Sequence, residues 1–286
     1  MLCIQYEYID TIKLLIDIYD VDIAVCDSAG YNALHYAAQS GNLDIIIHLC
    51  NSWQCVTGGV CTATEQYNIL HICSMNGYID CIKYIGQNNL CDINAVDCNG
   101  WSSMHHAIYN NHINCVQYYI QSMQLCNIYQ LTNDNWTLLH VACYSPYTTP
   151  DTLSLLAQYN IDVYSCDVVA STCLTLACIK YRFELVEWLL DTYIWPYQQL
   201  LYCVICVMQK FNNDIRLIQQ HQLASHILYE LKLSLNELQS SDSNNNPPLL
   251  IDTEQDDIVH LHSIANGAGT GTTTPRIRKS ISTPTR

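Results

Sequence analysis

Basic side chains are scarce in this sequence. Eleven lysines and arginines stand against 26 aspartates and glutamates, a formal net charge of −15 over 286 residues. Residues 1 to 238 carry 7 basic and 21 acidic side chains, so the deficit belongs to the body of the chain. That balance argues against nucleic acid, whose partners present basic faces. It suits a neutral or basic protein partner. Long apolar runs are also missing. The longest, "LLYCVICVM" from Leu200 to Met208, is too short to span a bilayer. The first residues, Met1 to Tyr8, include the acidic Glu7 and lack the apolar core of a secretory leader. No glycine-rich loop of the kind that cradles phosphate occurs, and no paired Cys-x-x-Cys arrays stand at zinc-finger spacing.

Cysteine, in contrast, is abundant, with 17 copies. A disulfide framework would explain that number in a secreted chain. Here the cysteines take positions where neighbouring segments carry alanine or serine. Cys73, Cys143 and Cys178 are examples. Free cysteine behaves as a small hydrophobe, so a reduced, intracellular and cytoplasmic protein is expected. The single "CVIC", Cys203 to Cys206, lies in an apolar helical run where positions i and i+3 share a buried face.

The cysteine positions align because the sequence repeats. "GYNALHYAAQSGNLDIIIHL" begins at Gly30, "QYNILHICSMNGYIDCIKYI" at Gln66, and "GWSSMHHAIYNNHINCVQYYI" at Gly100. "NWTLLHVAC" from Asn135 and "ASTCLTLAC" from Ala170 continue the series. The anchor residues His35, His71, His105, His140 and Thr175 are 36, 34, 35 and 35 residues apart. Each unit reads as a helix, a tight turn and a second helix. Adjacent small residues (Ala37, Ala38) permit close approach, and a branched run (Ile45 to Ile47) suits burial between layers. Neither helix is long enough to stand alone, so stacked copies must cover one another.

The pattern resembles the ankyrin repeat: Asp, two residues, Gly, one residue, Thr-Pro-Leu-His, two small residues, Gly, then a second helix. Asp27, Gly30, Leu34, His35, Ala37, Ala38 and Gly41 fill it, as do Asp97, Gly100, His105 and Ala107. Departures are local. Proline is absent before the Leu-His pair in every copy, and the second copy sets Ala63 at the Asp place and Gln66 at the Gly place. The fourth carries the extra residues "YSPYTTPDT" between its helices. The resemblance implies an all-α, helix-turn-helix solenoid with short hairpin turns. Residues 1–24 read as a partial repeat containing its second helix, and 25–195 as five repeats. Residues 196–239 read as a degenerate repeat with a capping helix. From residue 240 the chain turns to Ser, Asn, Thr, Pro and Gly without periodicity, and 240–286 read as a disordered tail.

The same resemblance assigns roles. The histidines hold neighbouring turns together, and the residue three before each (Asn32, Ser102, Thr137) caps the helix. Five equivalent positions do not make one active site. The residue after the turn glycine faces the side where family members bind partners: Tyr31, Tyr67, Trp101 and Trp136. Met75, Tyr109 and Tyr144, near the ends of first helices, extend that surface. Aromatic side chains are favoured at the energetic centres of interfaces, although packing against the neighbouring turn is an equal use for them. In the tail, Arg276, Arg278 and Lys279 precede Ser280, and Thr274 and Thr283 precede proline, so these three residues are candidate phosphorylation sites.

The function expected is therefore non-enzymatic: a scaffold that binds another protein on the concave face of the stack. No cofactor, metal or small-molecule substrate is expected. The alternative is a regulatory or targeting segment of a larger enzyme or channel protein.

Overall fold

A computed structural model describes residues 1–5, 8–19, 21–52, 61–122 and 126–210 of the protein. The capping helix expected before residue 239, the tail expected to be disordered, and Thr274, Ser280 and Thr283 all lie outside the described residues. The described residues form thirteen helices and no strand, and Val96 and Ser102 form an isolated antiparallel bridge. The chain divides into two compact units, Met1–Cys173 and Leu174–Arg286.

In the first unit, short helices alternate in two layers. The first helices are α1 (Leu2–Gln5), α3 (Ala33–Ser40), α5 (Ile69–Asn76), α7 (Ser103–Tyr109) and α9 (Leu138–Tyr144). The second helices are α2 (Ile9–Asp17), α4 (Leu43–Ser52), α6 (Ile79–Gln87), α8 (Ile113–Ser122) and α10 (Pro150–Ala157). First helices pack on first helices, α1 on α3, α3 on α5, α5 on α7 and α7 on α9. Second helices follow suit through α8, and each pair packs internally. The amino-terminal unit therefore holds a short first helix as well as the expected second.

The small residues are what let the layers meet. Ala37, Ala38, Cys73, Ala107, Ala142 and Cys143 are fully buried between consecutive first helices. Ile45, Ile46, Leu49, Ile82, Ile85 and Val116 bury the inner face of the second helices. Each such side chain contributes about 1.5–3 kcal/mol by leaving water, which offsets the poor intrinsic stability of helices of seven to ten residues. The described cysteines are all free thiols, and many lie in this core.

The turn after each first helix depends on small or left-handed residues. Gly41 (φ 74°) and Gly77 (φ 75°) close α3 and α5 in the left-handed region. Neither has room for a side chain. A Cβ at Gly41 would stand 2.6 Å from the Tyr78 ring, and one at Gly77 would stand 2.5 Å from the His112 ring. Each turn is thus covered by a ring from the next repeat. One step further on, Asn111 takes the left-handed position (φ 58°) and accepts from the Thr152 hydroxyl at 2.7 Å. The insertion of the fourth repeat is also tied down. Ser145 ends α9 and donates to the Tyr109 carbonyl, Thr148 donates to the Ala142 carbonyl, and Pro150 opens α10, where its missing N–H costs nothing.

In the second unit, α11 (Cys173–Ile179, its first residue closing the first unit), α12 (Phe183–Thr192) and α13 (Tyr197–Lys210) continue the helical pattern. Trp195, in the link that follows α12, is buried and donates its Nε1–H to the Leu189 carbonyl at 3.0 Å.

Candidate functional site

The site is built on the hairpin turns that precede each first helix. In the first, third and fifth turns an aspartate closes the loop. Asp27 Oδ1 accepts from Ala29 N (2.9 Å) and Tyr31 N (2.8 Å), and Asp97 Oδ1 from Asn99 N and Trp101 N (both 2.8 Å). Asp167 Oδ1 accepts from Val169 N (2.9 Å) and Ser171 N (2.7 Å). The left-handed place is held by Gly30 (φ 83°), Gln66 (59°), Gly100 (78°), Asn135 (60°) and Ala170 (62°).

The second turn corrects the sequence alignment. Thr62, not Ala63, stands in for the aspartate, with its hydroxyl accepting from Tyr67 N at 2.9 Å. The turn is one residue longer than its neighbours, which sequence spacing alone had hidden. Thr132 plays the same part in the fourth turn, accepting from Trp136 N at 3.1 Å.

Consecutive hairpins are tied by one backbone hydrogen bond each: Ala63 N to Ala29 O (3.0 Å), Cys98 N to Glu65 O (3.0 Å), Asn133 N to Asn99 O (3.0 Å) and Val168 N to Asp134 O (3.1 Å). This ladder explains Gly30 and Gly100 sterically as well as conformationally. A Cβ at Gly30 would meet the Ala63 backbone nitrogen at 2.3 Å, and one at Gly100 the Asn133 nitrogen at 2.6 Å.

The four anchor histidines are fully buried, and three of them bridge repeats. Each accepts at Nδ1 from the backbone N–H three residues before it: Asn32 (3.3 Å), Asn68 (3.1 Å), Ser102 (3.1 Å) and Thr137 (3.2 Å). An Nδ1 that accepts leaves the proton on Nε2. That N–H is donated to the next repeat, from His35 to Tyr67 O (3.2 Å), from His71 to Ala95 O (3.1 Å) and from His140 to Ser171 O (3.2 Å). At His105 the carbonyls of Trp136 and Gln130 face the ring without meeting hydrogen-bond geometry. Burial, reinforced by the neighbouring His106, pushes His71 down to about 4 and His105 down to about 3; burial also lowers His140. Burial thus favours the neutral form of His71, His105 and His140, and His35, His71 and His140 each tie one junction.

Tyr31, Tyr67, Trp101, Trp136, Tyr109 and Tyr144 are all half-buried. Trp101 contacts Trp136 (centroids 6.4 Å apart) and Tyr109 (5.6 Å). Trp136 contacts Tyr144 (4.8 Å), and Tyr144 contacts Tyr109 (6.4 Å). The strip continues backward through His106, which lies 5.3 Å from Trp101 and 5.5 Å from Tyr67. Tyr31 and Tyr67 share no ring contact among the described residues; Tyr31 pairs instead with Tyr36 at 5.8 Å. Met75 is half-buried, with its carbonyl taken by His112 Nε2 at 3.0 Å, and no ring or polar contact ties its side chain to the strip.

Three residues join the site that the motif reading had passed over. Tyr36 donates its hydroxyl to Asp27 Oδ2 at 2.7 Å, and His106 Nε2 lies 3.1 Å from Asp97 Oδ2. Both stand nine residues after their aspartate, the signal that would have found them. The third, Tyr147, is exposed and meets Tyr109 edge-on at 6.2 Å. It sits in the fourth-repeat insertion, for which no other copy supplies a register. The aspartates are anionic anchors. The Tyr36 hydroxyl and backbone N–H groups hold Asp27 below the usual carboxylate range. Burial works to raise Asp97, but the His106 ring and the turn N–H groups overcome it and leave it lowered. Burial raises Tyr31 and Tyr67, and the Glu65 carboxylate raises both further, with Asp27 and Asp97 each adding to one of them.

Among the described residues, no group of three or more His, Cys, Asp or Glu side chains is arranged to hold a metal ion. No helix of the described residues is long and apolar enough to cross a membrane. No curated protein matches the sequence. Among solved structures, a chain of the complex between the Bd0816 predatory endopeptidase of Bdellovibrio bacteriovorus and the immunity protein Bd3460 is similar in fold. It is 18% identical, with a TM-score of 0.56 over 65% of this chain and 93% of that one. The family model for ankyrin repeats, in three copies, matches residues 1–97 and 70–167. Repeat spacing, capping histidines, hairpin ladder and family match agree, and the chain belongs to the ankyrin-repeat family.

Proposed function

We propose that the protein is a non-enzymatic scaffold that binds a partner protein on the concave, hairpin side of its repeat stack. The observation that carries this reading is the aromatic strip. Six large rings, contributed by consecutive repeats, are each left half-exposed, four of them beside hairpin turns whose backbone is already locked and two, Tyr109 and Tyr144, at the ends of first helices. A core would have buried them. Ring pairs of this kind are worth about 0.5–1.5 kcal/mol beyond their burial, and the exposed remainder is available to a partner. Because each ring is held by its neighbours, little ordering cost is added on binding.

The test is Trp101→Ala with Trp136→Ala, compared in a binding titration and a denaturant melt. The partner is isolated on residues 1 to 238, and its binding is measured again with the full chain. As interface anchors, each indole is worth about 2 kcal/mol or more of affinity, with a smaller loss of stability. As packing residues, they would cost about 3 kcal/mol or more in stability. A double variant that unfolds early, or that stays folded and binds as before, removes the strip from consideration.

A further inference from the structure

We infer that the square of rings formed by Trp101, Trp136, Tyr144 and Tyr109 is a seat for a cationic side chain, an arginine or lysine of an extended partner segment. This deepens the proposed function and rests on it.

The geometry comes first. The four centroids close a circuit with sides of 6.4, 4.8, 6.4 and 5.6 Å. A cation resting over the middle of such a circuit lies within about 6 Å of every centroid, the range over which a ring quadrupole attracts a positive charge. Two of the rings are indoles, the strongest partners for a cation. The interplanar angles of 33° to 66° tilt the rings against one another rather than stacking them flat. The rings are thus not closed into a flat stack, and each of the four is only half-buried.

Charge is the second observation. Between Lys83 and Lys180 the sequence contains no lysine or arginine, while it holds Asp92, Asp97, Asp134, Asp151, Asp162 and Asp167. The whole square lies inside that stretch. The formal charge of that stretch, which has no lysine or arginine, is negative. Trp136 meets that charge directly, because its Nε1–H is donated to Asp167 Oδ2 at 3.2 Å. A carboxylate bound to the indole N–H makes the ring face more electron-rich. Asp134, exposed at the hairpin tip two residues before Trp136, supplies a solvent-facing counter-charge for a guanidinium or ammonium seated on the rings. An apolar partner segment would gain from the rings but not from this charge. An acidic one would be repelled by it.

The probe is a fluorescein-labelled hexa-arginine peptide titrated into the full chain at about 150 mM salt, where diffuse attraction is screened beyond roughly 8 Å. Its control is hexa-citrulline, which keeps the shape but not the charge. Arginine peptide should bind at least tenfold more tightly than citrulline. Trp136→Leu, which keeps apolar bulk and removes the indole face, should weaken the arginine peptide about tenfold and leave citrulline unchanged. Asp134→Asn, at an exposed tip, should weaken it several-fold without altering the melting curve. Should Trp136→Leu fold poorly, Tyr109→Leu and Tyr144→Leu probe the same square from its other side. Equal binding of citrulline and arginine, or arginine binding indifferent to all the ring variants, overturns the inference. The two readings fail separately. A partner that needs Trp101 and Trp136, while the arginine peptide ignores them, keeps the face and removes the cation. A partner indifferent to both tryptophans removes the face itself, and the cation seat with it.

Discussion

Mild acid should loosen the stack through its buried histidines. The perturbation is a fall in pH from 7 to 5, at constant salt. His71 and His105 are held neutral down to about 4 and about 3 by burial and by His106, whereas an unfolded histidine titrates near 6.5. Between those limits the unfolded chain binds more protons than the folded one. Stability is therefore complete above about 6.5 and falls as pH drops, at about 1.4 kcal/mol per pH unit for each such group. At pH 5 the loss is roughly 2 kcal/mol for each of the two, about 4 together, and His140, also lowered, adds to it. The physical content is the Nδ1 acceptor. A protonated ring would turn an N–H toward the backbone N–H of Asn68 or Ser102, which already donates to it. The lowered aspartates Asp27 and Asp97 do not blur the window, since their protonation belongs to still lower pH. The assay is urea unfolding across the range, with proton uptake on unfolding measured at pH 5 as a check that is independent of overall charge repulsion. Uptake should be at least two protons, and His105→Gln should reduce it by about one. Stability that is flat from pH 7 to 5, with uptake below one proton, would refute the reasoning.

Three further outcomes follow from the turns and the core. Gln66→Gly should stabilise the protein by up to about 1 kcal/mol in chemical melts, because Gln66 occupies the left-handed region (φ 59°) that a side chain disfavours. Gly100→Ala should destabilise it by about 2 kcal/mol or more, since it adds left-handed strain to a Cβ standing 2.6 Å from the Asn133 backbone nitrogen; a neutral result would mean that the hairpin ladder is slack. Alkylation after unfolding without reductant, read by mass spectrometry, should find every cysteine of the described repeats free, with core thiols such as Cys73 and Cys143 reacting only once the chain is unfolded.

The sequence by itself determined the repeat, and with it the fold family. A period near 35 residues, marked by histidines and small residues, has one economical solution, because helices this short must be covered by copies of themselves. The buried places of Ala37, Ala38, Cys73 and Cys143 follow from that same logic, since only small side chains allow first helices to touch. Local capping was legible too, in Asn32, Ser102 and Thr137, because it involves residues three apart; Asn68 caps the second repeat in the same way. What only the tertiary structure decided are the relations between repeats. Thr62 rather than Ala63 closes the second turn, because hydrogen bonding and not spacing selects the acceptor. Tyr36 and His106 join the site because each meets the second carboxylate oxygen of the aspartate nine residues before it, a spacing that points to the pair but does not by itself fix the contact. Tyr31 separates from Tyr67, while Trp101, Trp136, Tyr109 and Tyr144 close into a square. Periodicity fixes how far apart equivalent side chains lie along the chain, but ring contact depends on the distance and tilt between stacked turns, and those are set by packing.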